Sequence, residues 1–258
     1  MNMRNTSIKL ATIIFLAITA ISLTFTWHYN TRSTKRYTTI ANLVLVINCG
    51  EPVEILAVEF PSLWPGMRGN ATLILRNQAP VKYIVYLAPS GVLSPLEVEA
   101  ATHLEFQEHV IELEGESTMS VAIPLTLPSD APVGLHEAVF SVYRGSRLKG
   151  LPIGELHIIA PAGETVKITR IEFPSLAPGE RGEILIGLTN QSPVEYEIKL
   201  EVEKVIGPGG QGKWLDLNVT RMEFRVMPET SETISLTVYL DAAAPPGLYT
   251  IVVKLRRG

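Results

Sequence analysis

The densest group of side chains able to do chemistry lies between residues 103 and 112: His103, Glu105, Glu108, His109 and Glu112. Imidazole nitrogens and carboxylate oxygens are ligands for zinc and related cations, and a site needs three or four of them converging on one point. Here His103 to His109 runs along the approach to a strand and not down one helix face. The group therefore reads as a solvated strand edge, and no metal is assigned. His28, His136 and His157 stand alone, and no serine or cysteine is grouped with a histidine and a carboxylate for nucleophilic attack. Gly207-Pro208-Gly209-Gly210-Gln211-Gly212 lacks the following Lys-Ser/Thr of a phosphate loop. Three aspartates in the whole chain leave calcium loops unsupplied. No catalytic residue, no cofactor and no enzyme activity follow from these residues.

The larger signal is a duplication. Glu59-Phe60-Pro61-Ser62-Leu63-Trp64-Pro65-Gly66-Met67-Arg68-Gly69 returns 113 residues later as Glu172-Phe173-Pro174-Ser175-Leu176-Ala177-Pro178-Gly179-Glu180-Arg181-Gly182. The offset holds without a gap: Gly50-Glu51 answers Gly163-Glu164, Asn77-Gln78 answers Asn190-Gln191, and Arg144-Gly145 answers Arg257-Gly258. Two copies of one module follow, 37–145 and 146–258, with a linker at about 144–152. Duplication also supplies an internal control. A residue that the fold requires appears in both copies, whereas one added for function need not.

By that control the 103–112 group is no fold requirement, since its counterparts are Asp216, Asn218, Arg221, Met222 and Arg225. Two features of single copies are candidates for interaction. Trp64 occupies a turn where the second copy has Ala177, and an exposed tryptophan can stack on a sugar or anchor a partner. Glu105, Glu108 and Glu112 face Asn218, Arg221 and Arg225 at equivalent positions, a reversal of charge that would suit head-to-tail self-association. Residues 37–145 carry 4 basic and 12 acidic side chains, against 13 and 14 in 146–258. The formal net charge of -4 and the lack of basic runs argue against nucleic acid.

Before the modules, 1–7 is a short tail and 8–27 is almost wholly apolar. Twenty helical residues span about 30 Å, the thickness of a bilayer core, so 8–27 is expected to be a single transmembrane signal-anchor helix, with 28–36 as a juxtamembrane linker. The run is longer than a signal-peptide core, and no clear cleavage site follows it. Flanking charge does not settle orientation. The part after this run contains three Asn-x-Ser/Thr acceptors, Asn70, Asn190 and Asn218, which would be usable only outside the cytoplasm and favour an exterior C-terminal part. The single cysteine, Cys49, excludes an intrachain disulfide and reads as a small apolar residue in or beside a strand.

Short runs rich in Val, Ile, Leu and Tyr, alternating with a period of two and bounded by Pro, Gly and Asn, predict strands. In the first copy these are Leu43–Asn48, Val53–Phe60, Ala71–Arg76, Val81–Leu87, Leu104–Leu113, Ser117–Leu127 and Leu135–Tyr143, with the same seven 113 residues on. The fold class is therefore all-β, two tandem β-sandwiches after one N-terminal helix. In Pro65-Gly66 and Pro178-Gly179 proline presets the first corner of a turn and glycine accepts positive φ at the second.

These residues carry a resemblance. Pro-Gly before a strand, Leu75-Arg76-Asn77-Gln78 or Leu188-Thr189-Asn190-Gln191, then Glu116-Ser117 or Glu229-Thr230, and finally Ala131-Pro132-Val133-Gly134-Leu135 or Ala244-Pro245-Pro246-Gly247-Leu248 form an ordered series. The series resembles the immunoglobulin- or fibronectin-type-III-like modules repeated in archaeal and bacterial surface proteins, including those appended to α-galactosidases. It departs from antibody-type domains in lacking paired cysteines. The resemblance implies structure, spacing and adhesion, and brings no catalytic residues. The expectation is a single-pass protein of the cell membrane with its modules outside the cytoplasm, binding or spacing an envelope protein or glycan. The alternative is a carbohydrate-binding or accessory subunit of a membrane-bound enzyme, transporter or surface filament complex.

Overall fold

A computed structural model describes residues 37–93, 104–145, 150–207, 212–217 and 221–258. The segment 8–27 lies outside them, as do His103 and Asn218. Among the described residues no helix is long and apolar enough to cross a membrane. Those residues are all-β, and Thr38–Gly258 forms one compact unit.

The first copy supplies β1 (Thr38–Cys49), β2 (Val53–Glu59), β3 (Arg68–Asn77), β4 (Tyr83–Leu93), β5 (His109–Leu113), β6 (Ser117–Thr126) and β7 (Gly134–Gly145). The second supplies β8 (Leu151–Ala162), β9 (Val166–Glu172), β10 (Ser175–Leu176), β11 (Arg181–Asn190), β12 (Tyr196–Ile206), β13 (Leu215–Leu217), β14 (Arg221–Val226), β15 (Ser231–Leu240) and β16 (Gly247–Arg257). Alternation places them well: β3 and β11 bury every second residue in the same pattern, one face to the core and one to water. The expected strand Leu104–Leu113 is shorter, His109–Leu113, because Glu105 leaves that ladder to bridge Thr126.

The pairing of the strands departs from a simple tandem. β1 does not join the sheet of its own copy but runs antiparallel to β16, from Thr38 opposite Arg257 to Cys49 opposite Gly247. In return β8 runs antiparallel to β7, from Leu151 opposite Arg144 to Ala162 opposite Gly134. Arg144 and Leu151, near the two ends of the stretch at about 144–152, thus stand opposite each other in one ladder. The boundary at 145/146 divides the sequence repeat, but the sheets take strands across it. A four-stranded sheet is ordered β5-β4-β7-β8, a five-stranded sheet β10-β1-β16-β12-β14, and a seven-stranded sheet β13-β15-β11-β9-β2-β3-β6.

The seven-stranded sheet is continuous because β2 and β9 pair across the duplication. Val58 stands opposite its own counterpart Ile171, and the flanking bonds are reciprocal: Phe60 N–H to Thr169 O at 2.9 Å and Phe173 N–H to Leu56 O at 2.8 Å. Each copy makes the same contact with the other, the isologous arrangement of a two-fold dimer within one chain. The exchanged strands carry the seam. From Leu45 in β1 and from the equivalent Ile158 in β8, five consecutive residues are buried. Such a run is characteristic of strands covered on both faces. The buried side chains of all three sheets belong to one hydrophobic core.

The repeated punctuation has local causes. Gly66 and Gly179 take φ of 84° and 86°, as the Pro-Gly turns require. Glu116 and Glu229 share the left-handed region at 52° and 54°, a conformation the fold imposes on both copies. His136 and Tyr249 occupy equivalent buried positions, and each bonds the carbonyl oxygen of the proline four residues before it, Pro132 at 2.8 Å and Pro245 at 3.0 Å.

Candidate functional site: a cleft of the first copy

Beside the edge of the first copy lies a cleft of about 820 Å³. β4 contributes Pro89, Gly91 and Val92; the approach to β5 contributes Leu104, Glu105, Phe106 and Gln107, and β5 itself His109; β3 and β6 contribute Arg68, Pro124 and Thr126. Local pairing positions them. Glu105 and Thr126 exchange backbone bonds of 2.9 and 3.0 Å, which ties the approach segment to β6. Phe106 packs edge-on against Phe140, centroids 4.8 Å apart, and Leu104 is buried beneath. The Nε2 of His109 is shielded from water without a hydrogen-bond partner among the described residues, and burial pushes that imidazole below its usual range. The lining thus mixes apolar side chains with the polar ones of Arg68, Glu105, Gln107, His109 and Thr126.

The cleft draws in only part of the group picked out in the sequence. Glu105 and His109 line it. Glu108 instead accepts from the Tyr86 hydroxyl at 2.6 Å, which pushes that phenol up, and Glu112 pairs with Lys82 at 2.5 Å, which holds its carboxyl below the usual range. Among the described residues no set of three or more histidine, cysteine, aspartate or glutamate side chains is placed to hold a metal ion. On the opposite-charge side Arg225 already pairs with Glu195 at 3.4 Å. Exposed pairs of this kind contribute little to stability. The side chain of Arg221 lies outside the described ones. Residues missed in the sequence are Arg68, Gly91 and Thr126. For Gly91 and Thr126 the signal was in the internal comparison, where they answer Lys204 and Tyr239, whereas Arg68 matches Arg181 and gave none.

Trp64 is 53% exposed and sits at the seam, its ring beside Gly163 and its centre 5.9 Å from the Lys167 ammonium. Lys167 is buried, donates to Ser62, and has its ammonium pushed below the usual lysine range by burial. Its counterpart Glu54 is better served, accepting from Arg76, Gln78 and Ser175. A lowered lysine pKa means the folded chain binds fewer protons than the unfolded one between that pKa and about 10.4. Stability should therefore rise with pH across that window. Lys167→Met should leave stability at neutral pH equal or higher and flatten that rise, as read by denaturant titrations at several pH values.

The two glycosylation triplets whose asparagines are described, Asn70 and Asn190, part company. Asn70 is exposed on β3. Asn190 is fully buried, and its Nδ2 donates to Val194 O at 2.8 Å, Met227 O at 3.1 Å and Val226 O at 3.2 Å. Asn77, in no such triplet, makes the same contacts with Val81, Glu114 and Leu113. The asparagine is thus a fold requirement, and in the folded chain the Asn190 amide is spent on these carbonyls.

No protein-family model matches the chain, and no curated protein does either. Among solved structures the chain is similar to a protein of unknown function from Porphyromonas gingivalis W83, at 14% identity and a TM-score of 0.30, covering 74% of this chain and 84% of that one. It is similar to the Salmonella enterica SafA pilin in complex with the SafB chaperone at 12% identity and 0.30, covering 73% and 86%. It is also similar to Escherichia coli alpha-2-macroglobulin activated by porcine elastase at 12% and 0.26, covering 78% and 20%. Scores this low say nothing about what the chain binds or does.

Proposed function

We propose that the chain is a membrane-anchored, extracytoplasmic protein of the cell envelope. In this reading its two immunoglobulin- or fibronectin-type-III-like sandwiches bind or space other envelope components and perform no chemistry. The observation that carries it is the exchange of β1 and β8, which interlocks the copies into one unit while their surfaces diverge. The backbone pairings that build the seam recur in both halves. Trp64, Gly91 and Thr126 differ at the surface, as expected where only one half meets a partner. The apolar stretch 8–27 supports the anchor, and the exposed Asn70 supports an exterior location. A second reading, binding of a glycan, is favoured by the half-exposed indole of Trp64. Crosslinking in native membranes followed by capture of the full chain tests the proposal. A partner protein retained through crosslinks in the first copy is the expected result. An uncrosslinked chain recovered from the soluble fraction would overturn it.

A further inference from the structure

We infer that the cleft of the first copy seats a tyrosine side chain carried by a partner polypeptide, stacked against Arg68. This rests on the reading of the chain as a binding protein and names what the partner presents.

The second copy shows what belongs there. Arg68 stands opposite Thr126 in the β3–β6 ladder, and the equivalent pair in the β11–β15 ladder is Arg181 opposite Tyr239. The guanidinium carbon of Arg181 lies 5.9 Å from the centre of the Tyr239 ring, within range of a cation–π contact. The first copy keeps the arginine and lacks the ring, and Thr126 lines open space instead. A second exchange, Gly91 where the other copy has Lys204, removes another side chain from the same lining. Neither small residue is demanded by the fold, because the other half is built without it.

Tyrosine fits better than an apolar ring. Polar side chains on the lining, Glu105, Gln107 and Thr126, offer oxygen acceptors to which a phenol hydroxyl can donate. Glu105 on the lining and the acidic balance of residues 37–145 call for basic residues flanking that tyrosine.

The test uses the full chain in detergent micelles and two labelled peptides, Gly-Lys-Tyr-Lys-Gly and Gly-Lys-Ala-Lys-Gly, followed by fluorescence anisotropy at low salt. The tyrosine peptide should bind at least tenfold more tightly than the alanine peptide. Thr126→Tyr, which installs the ring of the second copy, should abolish that difference, as should Gly91→Lys. Thr126→Ser should preserve it, and Arg68→Ala should weaken it several-fold. Unchanged melting temperatures in the Thr126 variants separate loss of binding from loss of fold. Equal binding of the two peptides, or undiminished preference in Thr126→Tyr, would overturn the inference. So would p-cresol binding as tightly as the peptide, since that would make the cleft a small-phenol pocket. A membrane partner captured equally by wild type and Thr126→Tyr sinks this site alone. Failure of the wild type to capture any partner counts against the broader reading.

Discussion

Asn190→Ala is expected to destabilise the protein by about 3 kcal/mol, with Asn77→Ala costing a similar amount. Each asparagine is buried and joins three carbonyl oxygens from two other segments, while its Oδ1 accepts a backbone N–H two residues on, Ser192 at 2.9 Å or Ala79 at 3.0 Å. Alanine leaves those groups without partners in a place water does not reach, and an unpaired buried polar group costs about 1–3 kcal/mol. Urea denaturation of the variants measures the loss. A change under about 0.5 kcal/mol, the range of neutral surface substitutions, would show that water replaces the side chain and that the clamp is not structural.

Leu45→Ala should cost about 2–5 kcal/mol, the usual range for a fully buried leucine. The location of the damage matters more than its size. Leu45 pairs with Ile251 of β16, so amide exchange should accelerate in β16 and its other neighbour β12 before it does in β7 and β4. Faster exchange centred on β7 would mean that β1 belongs to its own copy.

The strands themselves were legible because burial on one face writes a period of two into the sequence, and Ser117–Thr126 or Val53–Glu59 could be placed to within a residue or so. Their partners were not legible. β7 and β16 are near-equivalent edges, and nothing in the alternation of Leu43, Leu45 and Ile47 says which of the two they face. The clue was the unbroken apolar character from Leu45 to Ile47, repeated from Ile158 to Ala160, which marks strands covered on both sides. The candidate site was half legible. Glu105 and His109 stood out by type, whereas Gly91 and Thr126 carry no reactive group and matter only for what they leave empty. A buried asparagine and an exposed one read alike as glycosylation triplets, because the triplet encodes nothing about burial.

The exchange of first strands between copies is the claim on which the rest depends, and an engineered disulfide tests it directly. Asn42 stands opposite Lys254 in the β1–β16 ladder, whereas in an unexchanged tandem it would face Ser141, the equivalent of Lys254 in β7. Opposed residues of an antiparallel pair lie about 4.5–5.5 Å apart at Cα, within disulfide reach. With Cys49 changed to alanine, the account predicts that Asn42→Cys with Lys254→Cys oxidises to an intrachain disulfide on a monomer, while Asn42→Cys with Ser141→Cys stays reduced. An intrachain bond in the second pair and free thiols in the first would contradict it.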